Sequence, residues 1–263
     1  MRSYIVCNWK MHPSSFDKAR ELLGAYNKLF RVSRGKQSGG SLVTQIVICP
    51  PFLYFQLFDE KRGRNISLGA QNIFFRDGEG SYTGQISARM VREFGAEYVL
   101  IGHGEVRRLG EGSSSILLKV QHALRRGIKP IICVGYQDHV RETRHIITHF
   151  SADEVQKMIF AYEPTDAVGT GNPETPEVVA RAVHDIKRLI FKRFKKKYFL
   201  GLVGIGGSKY LVPRPPILYG GSVTPDNYKR YIANSDVDGF VIGKESLNAE
   251  SIKKIADALE GKQ

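Results

Sequence analysis

The unit that decides the fold is first seen at residues 4–30, which read YIVCNWKMHPSSFDKARELLGAYNKLF. It begins with a continuous apolar run, Tyr4–Cys7, which is typical of a parallel strand covered on both faces. After Ser15, apolar residues recur at helical spacing from Phe16 to Phe30, so that one face of a helix is apolar. A strand followed by a helix is the repeating unit of α/β proteins.

The same unit recurs down the whole chain. Further continuous apolar runs predict seven more strands: Gln45–Cys49, Ile66–Gly69, Tyr98–Ile101, Pro130–Val134, Met158–Tyr162, Ile217–Tyr219 and Gly239–Ile242. Helical patterns separate the strands, and three of them are marked by Thr175-Pro176, by Thr224-Pro225-Asp226, and by Ile252, Ile255 and Leu259. Eight strand–helix alternations in about 250 residues predict an α/β fold, a closed (β/α)8 barrel. We expect one domain over residues 1–263.

Composition narrows the class of protein. The chain has 263 residues, of which 42 % are hydrophobic and 25 % charged, which excludes a disordered or fibrous protein. Its net charge of +13 favours anionic partners. Three widely spaced cysteines, Cys7, Cys49 and Cys133, predict free thiols in a reducing compartment. Because no apolar run reaches the ~18 residues of a membrane helix, and the start is no signal peptide, we expect a cytoplasmic protein without a membrane partner.

A dense basic run lies at residues 187–197, at the predicted end of a helix. It contains Lys187, Arg188, Lys192, Arg193, Lys195, Lys196 and Lys197. A solvated helix face, favoured there by the negative end of the helix dipole, is the simpler interpretation. Specific binding of nucleic acid or another polyanion is the alternative. Because no aromatic-rich nucleic-acid motif accompanies the run, we expect no specific nucleic-acid partner.

In a barrel of this kind, functional groups gather at the carboxyl ends of the strands and in the loops that follow. This rule selects five side chains and three glycine-containing turns: Asn8, Lys10, His103, Glu105, Glu163, Ala167–Gly171, Gly220–Ser222 and Gly243-Lys244. Such turns bring backbone N–H groups close to a phosphate. A carboxylate and an imidazole on opposite sides of a small phosphorylated molecule suit removal of a proton next to a carbonyl.

Seven short motifs, taken in order, closely resemble the triosephosphate isomerase family: Asn8-Trp9-Lys10-Met11, Ala70-Gln71-Asn72, Tyr82-Thr83-Gly84, Ile101-Gly102-His103-Gly104-Glu105, Ala161-Tyr162-Glu163-Pro164, Gly169-Thr170-Gly171 and Tyr219-Gly220-Gly221-Ser222. The resemblance covers the whole chain at compatible spacings. It implies an isomerase of glycolysis and gluconeogenesis, without cofactor or metal, that interconverts glyceraldehyde 3-phosphate and dihydroxyacetone phosphate through an enediolate. It also implies a homodimer.

The resemblance implies a role for each selected side chain. Glu163 matches the base that moves a proton between two carbons. His103 matches a neutral imidazole that polarises the carbonyl, an effect for which this family is itself the standard example. Lys10, with Asn8 beside it, matches the cation that stabilises the developing negative charge. Glu105 matches a residue that holds this network in place.

Phosphate binding and loop closure are further implications of the resemblance. The phosphate would be held by backbone N–H groups of Gly169, Ser222, Gly243 and Lys244. A loop from Pro164 to about Pro173 would close over the substrate and exclude water. Lys244 stands where the family usually has glycine, and its N–H stays available if the backbone there keeps a negative φ.

Two pairs of residues depart together from the family pattern. Tyr136 and Asp166 replace a glutamate and a tryptophan, so a hydrogen bond between them is expected to replace the latch of the open loop. Alternatively, they are independent surface residues. Gln85 and Val106 replace a glutamate and an arginine, so both charges of one interface pair are gone together. A homodimer with Thr83 near the active site of the other chain is still expected.

Two alternative functions stay open. An isomerase of a four-carbon ketose phosphate would use the same chemistry, and the changes at Asp166 and Gly104, where the family usually has serine, leave it possible. A non-catalytic basic barrel that binds polyanions is the alternative from another class. The presence of Asn8, Lys10, His103 and Glu163 together argues against it, since a retired site has no physical reason to keep all four.

Overall fold

A computed structural model describes residues 2–30, 44–59, 63, 65–164, 172–202 and 212–261, without the side chains of residues 196–202. Its eight strands are β1 Tyr4–Asn8, β2 Gln45–Cys49, β3 Ile66–Ala70, β4 Tyr98–Ile101, β5 Lys129–Val134, β6 Ile159–Tyr162, β7 Ile217–Tyr219 and β8 Gly239–Ile242. Each strand pairs in parallel with the next, and β8 pairs with β1, so the barrel is closed. The predicted (β/α)8 fold is confirmed, and every predicted strand limit is correct to within one residue.

The helices follow the strands as the alternation predicts. In the described ranges they are α1 Phe16–Leu29, α2 Ala88–Glu93, α3 Gly104–Arg108, α4 Ser113–Arg125, α5 His139–His149, α6 Ala152–Gln156, α7 Pro176–Leu202, α8 Tyr228–Asn234 and α9 Ala249–Gly261, with 3₁₀ helices at Phe52–Asp59 and Lys244–Leu247. Ser15 caps α1 by accepting a hydrogen bond from the backbone N–H of Lys18. None of the described helices combines the length and the apolar character needed to cross a bilayer.

Two layers of apolar side chains form the core. Alternate strand residues point into the barrel and pack on one another, among them Val6, Val47, Leu100, Ile131 and Leu218. The intervening residues face outward and pack against the helices. This is why the strands are continuous apolar runs in the sequence, since both faces of each strand are covered.

The start of α8 differs from the prediction. The helix begins at Tyr228, because Thr224-Pro225-Asp226 first forms a turn. In that turn, the N–H of Thr224 donates to Oδ1 of Asn227 at 2.9 Å, and the N–H of Tyr228 donates to the carbonyl of Thr224 at 3.2 Å. The side chain of Asn227 therefore delays the first helical turn.

The basic run lies inside a helix rather than at its end, so the interpretation through the helix dipole is wrong. α7 continues to Leu202, because no proline or glycine interrupts the chain between Pro176 and Gly201. Part of the run is paired with acidic residues instead: Lys187 Nζ lies 2.6 Å from Asp236 Oδ2, and Arg188 lies 3.4 Å from Asp185.

Candidate active site

A cavity of about 620 Å³ opens at the carboxyl end of the barrel. The predicted residues that line it are Asn8, Lys10, His103, Glu105, Glu163, Ser222, Gly243 and Lys244. They come from loops after β1, β4, β6, β7 and β8, and the closed parallel barrel brings these strand ends together. Gly169 lies outside the described residues. Thr83 lies apart from the cavity, on the exposed loop between β3 and α2.

The backbone that follows His103 orients its imidazole ring. His103 caps the start of α3, and its Nδ1 accepts a hydrogen bond of 3.1 Å from the backbone N–H of Glu105. A backbone N–H can only donate, so Nδ1 carries no proton in this contact and Nε2 is the protonated nitrogen. Nε2 lies 3.8 Å from Oε2 of Glu163. The imidazole therefore presents a hydrogen-bond donor to the cavity.

Glu163 is a nearly buried carboxylate with one unoccupied oxygen. The residue is 4 % exposed, and its Oε2 has no hydrogen-bond partner among the described residues. Gly220 makes room for it, because a Cβ at that position would lie 2.5 Å from Cγ of Glu163. Burial, and then the nearby Glu163 carboxylate, raise the pKa of the Cys133 thiol, which therefore stays protonated and hydrogen-bonded to the carboxylate.

Lys10 is held in an unusual backbone conformation. Its φ of 52° lies in the left-handed region, which residues other than glycine rarely adopt. Asn8 Oδ1 accepts a hydrogen bond of 3.1 Å from the Lys10 N–H, and Gln71 Nε2 donates one of 2.7 Å to the Lys10 carbonyl. Asn8 and Gln71 thereby stabilise the turn that points the lysine side chain into the cavity.

The ammonium of Lys10 is paired with the carboxylate of Glu105. Lys10 Nζ donates to Glu105 Oε1 at 2.6 Å. Partial burial raises the pKa of Glu105, but the hydrogen bond and charge of Lys10 outweigh it, so the pKa lies below its ordinary value. Glu105 is therefore ionised at neutral pH, and its carboxylate contacts the ammonium of Lys10 directly.

The turns after β7 and β8 also line the cavity. Asn227 Nδ2 donates to the carbonyl of Ser222 at 2.8 Å and so fixes the turn after β7. Gly243 begins the 3₁₀ helix Lys244–Leu247. In the described chain, only Lys10 and Asp236 are non-glycine residues with positive φ. The φ of Lys244 is therefore negative, which is the condition under which its N–H stays available for a phosphate. Lys244 is also exposed, which leaves its ammonium free to attract an anion.

The segment after Glu163 is anchored on its carboxyl side. The Tyr219 hydroxyl accepts a hydrogen bond of 3.0 Å from the N–H of Glu174, and the Tyr231 hydroxyl donates one of 2.7 Å to the Glu174 carbonyl. Residues 165–171 lie outside the description, so the predicted latch between Tyr136 and Asp166 stays a prediction.

Sequence reasoning missed several residues that support the site. Gln71 falls within a recognised motif but received no role, and Cys133, Tyr231 and Arg107 were not selected. The signal for Arg107 is its position four residues after His103, on the short helix that His103 caps. In the described ranges, no group of three His, Cys, Asp or Glu residues is placed to hold a metal ion.

The fold and the cavity define an α/β-barrel enzyme in which a carboxylate and an imidazole line the same cavity. The model of the triosephosphate isomerase family matches residues 3–259. A protein named triosephosphate isomerase from Caldanaerobacter subterraneus subsp. tengcongensis is 34 % identical to the chain, over 97 % of this chain and 99 % of its own length. One from Roseiflexus castenholzii is 35 % identical, over 96 % of this chain and 95 % of its own length. One from Aquifex aeolicus is 33 % identical, with 97 % and 98 % covered. The chain belongs to the triosephosphate isomerase family.

Proposed function

We propose that the chain interconverts glyceraldehyde 3-phosphate and dihydroxyacetone phosphate, a step of glycolysis and gluconeogenesis. The observation that carries this proposal is the pairing of Glu163 and His103. Oε2 of Glu163, which has no partner in the described part of the chain, and Nε2 of His103 lie 3.8 Å apart at the edge of one cavity. A base and a hydrogen-bond donor in that arrangement reach a C–H group and the neighbouring carbonyl of one small substrate.

The residues divide the reaction between them. With dihydroxyacetone phosphate bound, Glu163 removes a proton from C1, and the C–H electron pair forms a C1=C2 double bond. The carbonyl electrons move to the C2 oxygen, where the N–H of His103 and the ammonium of Lys10 stabilise the negative charge. The C2 oxygen then takes up a proton and the C1 hydroxyl gives one up, an exchange for which the Nε2–H of His103 serves as donor and then acceptor, and Glu163 returns its proton to C2 as the C1 oxygen becomes a carbonyl. Atoms and electrons balance without an oxidant or reductant.

We assign the phosphate to the turns after β7 and β8. Backbone N–H groups at Ser222, Gly243 and Lys244 provide donors there, and Gly169 would add another from the closing loop. The net charge of +13 adds long-range attraction for an anionic substrate.

We also propose a homodimer, for which the rim of the barrel provides support. Each of the first four strands is followed by a loop or short helix with a large exposed apolar side chain: Met11 at 91 %, Leu53 at 80 %, Tyr82 at 45 % and Leu109 at 88 % exposure. Because β1 to β4 are consecutive in the barrel, these side chains lie along one half of the rim. Thr83 is next to Tyr82 and is expected near Asn8 and Lys10 of the partner subunit.

Sedimentation of the protein tests the assembly. A dimer at micromolar concentration is expected, and Thr83→Arg is expected to shift it toward monomer with a loss of activity. A fully active monomer would contradict the proposal. We further propose that the enzyme works in the cytoplasm, with its three free, buried cysteines reduced.

The reaction is tested by a coupled assay in both directions with triose phosphates, run beside a four-carbon ketose phosphate. Triose phosphates are expected to be the better substrates. In D₂O, the product is expected to carry deuterium at the carbon that receives the proton, since the acid form of Glu163 exchanges with solvent. Faster turnover of the tetrose phosphate would favour the second substrate class, and no turnover of either would favour a non-catalytic barrel.

A further inference from the structure

Two charged side chains that the proposed reaction does not use are nearly buried behind the cavity. Arg107, on α3, and Glu142, on α5, have side chains that are 9 % and 11 % exposed, and Arg107 Nη2 lies 3.6 Å from Glu142 Oε2. Neither residue lines the cavity. Burying two charges is costly unless hydrogen bonds compensate both. Their hydrogen bonds therefore show what the pair holds in place.

The guanidinium of Arg107 joins the ends of two neighbouring strands. Its Nε donates to the carbonyl of Gly102 at 2.7 Å, and its Nη2 donates to the carbonyl of Cys133 at 3.1 Å. Gly102 directly precedes His103 and has a φ of +75°, in the left-handed region that favours glycine. Cys133 is the β5 residue whose thiol contacts the Glu163 carboxylate. One rigid, planar group thus spans the backbone behind both halves of the base–imidazole pair.

The carboxylate of Glu142 holds the turn that follows β5. Its Oε2 accepts a hydrogen bond of 2.8 Å from the N–H of Gly135, and its Oε1 accepts one of 3.3 Å from the N–H of Gln137. This turn packs against the backbone of Glu163, because a Cβ at Gly135 would lie 3.1 Å from the Glu163 carbonyl. The N–H of Glu163 also donates to the carbonyl of Val134, immediately before the turn, at 2.7 Å.

We propose that Arg107 and Glu142 act as a pair of positioning residues that sets the distance between His103 and Glu163. The inference rests on the proposed isomerase function. Arg107 fixes the backbone before His103 to the strand beside Glu163, and Glu142 fixes both Arg107 and the turn against which Glu163 packs. A displacement of about 1 Å between catalytic groups lowers a rate by as much as 10²-fold. The pair therefore acts on the chemical step, while the phosphate donors at Ser222 and Gly243 lie on other loops.

Arg107→Met, which keeps the length of the side chain and removes all its donors, tests the proposal. We expect kcat to fall by about 10- to 100-fold, with KM for glyceraldehyde 3-phosphate within about threefold of the parent, because phosphate binding is untouched. Arg107→Lys keeps a charge and one donor and is expected to recover part of the loss. Glu142→Gln is expected to lower kcat less, and the double variant to lose less than the product of the two single losses, since both act through one contact.

Arg126→Met is the matched control. It removes another arginine from an ion pair, with Asp77 at 2.7 Å, but 41 % of the Arg126 side chain is exposed and the pair lies outside the cavity lining. It is expected to leave kcat unchanged. In nitrogen NMR spectra, the Nδ1 and Nε2 signals of His103 are expected to shift in Arg107→Met and to stay in place in Arg126→Met.

The outcomes separate this inference from the proposed function. If the unaltered chain does not isomerise triose phosphates, the function itself is wrong. If the unaltered chain is active and Arg107→Met keeps its kcat within twofold, the positioning role is wrong. It is equally wrong if the loss matches the fraction of unfolded protein, if KM changes as much as kcat, or if the His103 signals do not move.

Discussion

Two nearly buried polar side chains at opposite ends of the barrel, Gln45 and Glu163, differ in their hydrogen bonds. At the amino end, Gln45 is 6 % exposed and its side chain contacts four partners: Arg2, Ile46, Asn65 and Ser67. At the carboxyl end, Glu163 is 4 % exposed and leaves Oε2 without a partner among the described residues. Buried polar groups are normally paired because an unpaired one costs free energy. The contrast between the two side chains indicates that Gln45 serves stability, while Glu163 keeps an acceptor free for a substrate.

The largest expected effect is the loss of kcat when the carboxylate of Glu163 is replaced. Glu163→Gln removes the base and is expected to lower kcat by ~10³-fold or more, since general base catalysis contributes about 10²- to 10⁴-fold. The free energy of unfolding is expected to change by less than about 1 kcal/mol. The coupled assay and urea unfolding measure the two quantities. Glu93→Gln, on the exposed face of α2, is the control; a substantially active Glu163→Gln protein would remove the basis of the comparison.

Replacing Gln45, at the other end of the barrel, is expected to lower the stability and leave kcat unchanged. Gln45→Leu keeps the side-chain volume but leaves the partners of the amide unpaired, so the free energy of unfolding is expected to fall by about 1–3 kcal/mol. Because Gln45 lies at the opposite end of β2 from the cavity, kcat of the folded protein is expected to be unchanged. A variant that unfolds like the parent but turns over slowly would contradict the assignment of stability to this end.

Glu105 combines the two behaviours, since it lines the cavity and is also paired. Glu105→Gln removes the charge that fixes Lys10, and we expect kcat to fall about tenfold, the size of a charge-assisted hydrogen bond of ~1.5 kcal/mol. Steady-state kinetics measures this effect. Lys10→Arg in the same background supplies the comparison. An unchanged kcat in Glu105→Gln would show that the ion pair with Lys10 is not needed.

The smallest expected effect is the pH dependence of this pair. The pKa of Glu105 is lowered from an ordinary value of 4.5, so its stabilising contribution is present above that pH and is lost as the pH falls through the lower folded value. Because 42 % of the Glu105 side chain is exposed, solvent screens the contribution and keeps it small. Melting curves of the parent and Glu105→Gln are expected to differ at pH 6 and to converge as the pH falls from 4.5 through the lower folded pKa. Curves that diverge on acidification would show the opposite sign.

Helix limits were harder to predict than strand limits, for physical reasons that particular residues show. Strands appear as apolar runs because burial on both faces leaves little choice of residue. The start of α8 depends on one hydrogen bond from Thr224 to Asn227, which no periodicity reveals. The position at which α7 ends is only weakly specified by the local sequence. The basic run therefore predicts a helix end, although the helix continues to Leu202.

The site residues were predicted from motifs, and their mutual geometry was not. The sequence singled out Glu163, His103 and Lys10, because a parallel barrel places strand ends on one rim. It did not show that His103 Nδ1 accepts from the Glu105 N–H, or that Arg107 spans Gly102 and Cys133. Hydrogen bonds of this kind depend on distances of a few tenths of an ångström, and the one from Arg107 to Cys133 joins residues 26 positions apart in the chain.

The sequence by itself determined the barrel, its eight strands and the set of polar residues at their carboxyl ends. Local apolar patterns and short motifs carry that information without reference to the rest of the molecule. Only the tertiary structure decided which oxygen of Glu163 stays without a partner among the described residues and which charges lie behind the base and the imidazole. These properties belong to contacts between separate βα units, and such contacts exist only once the barrel has closed.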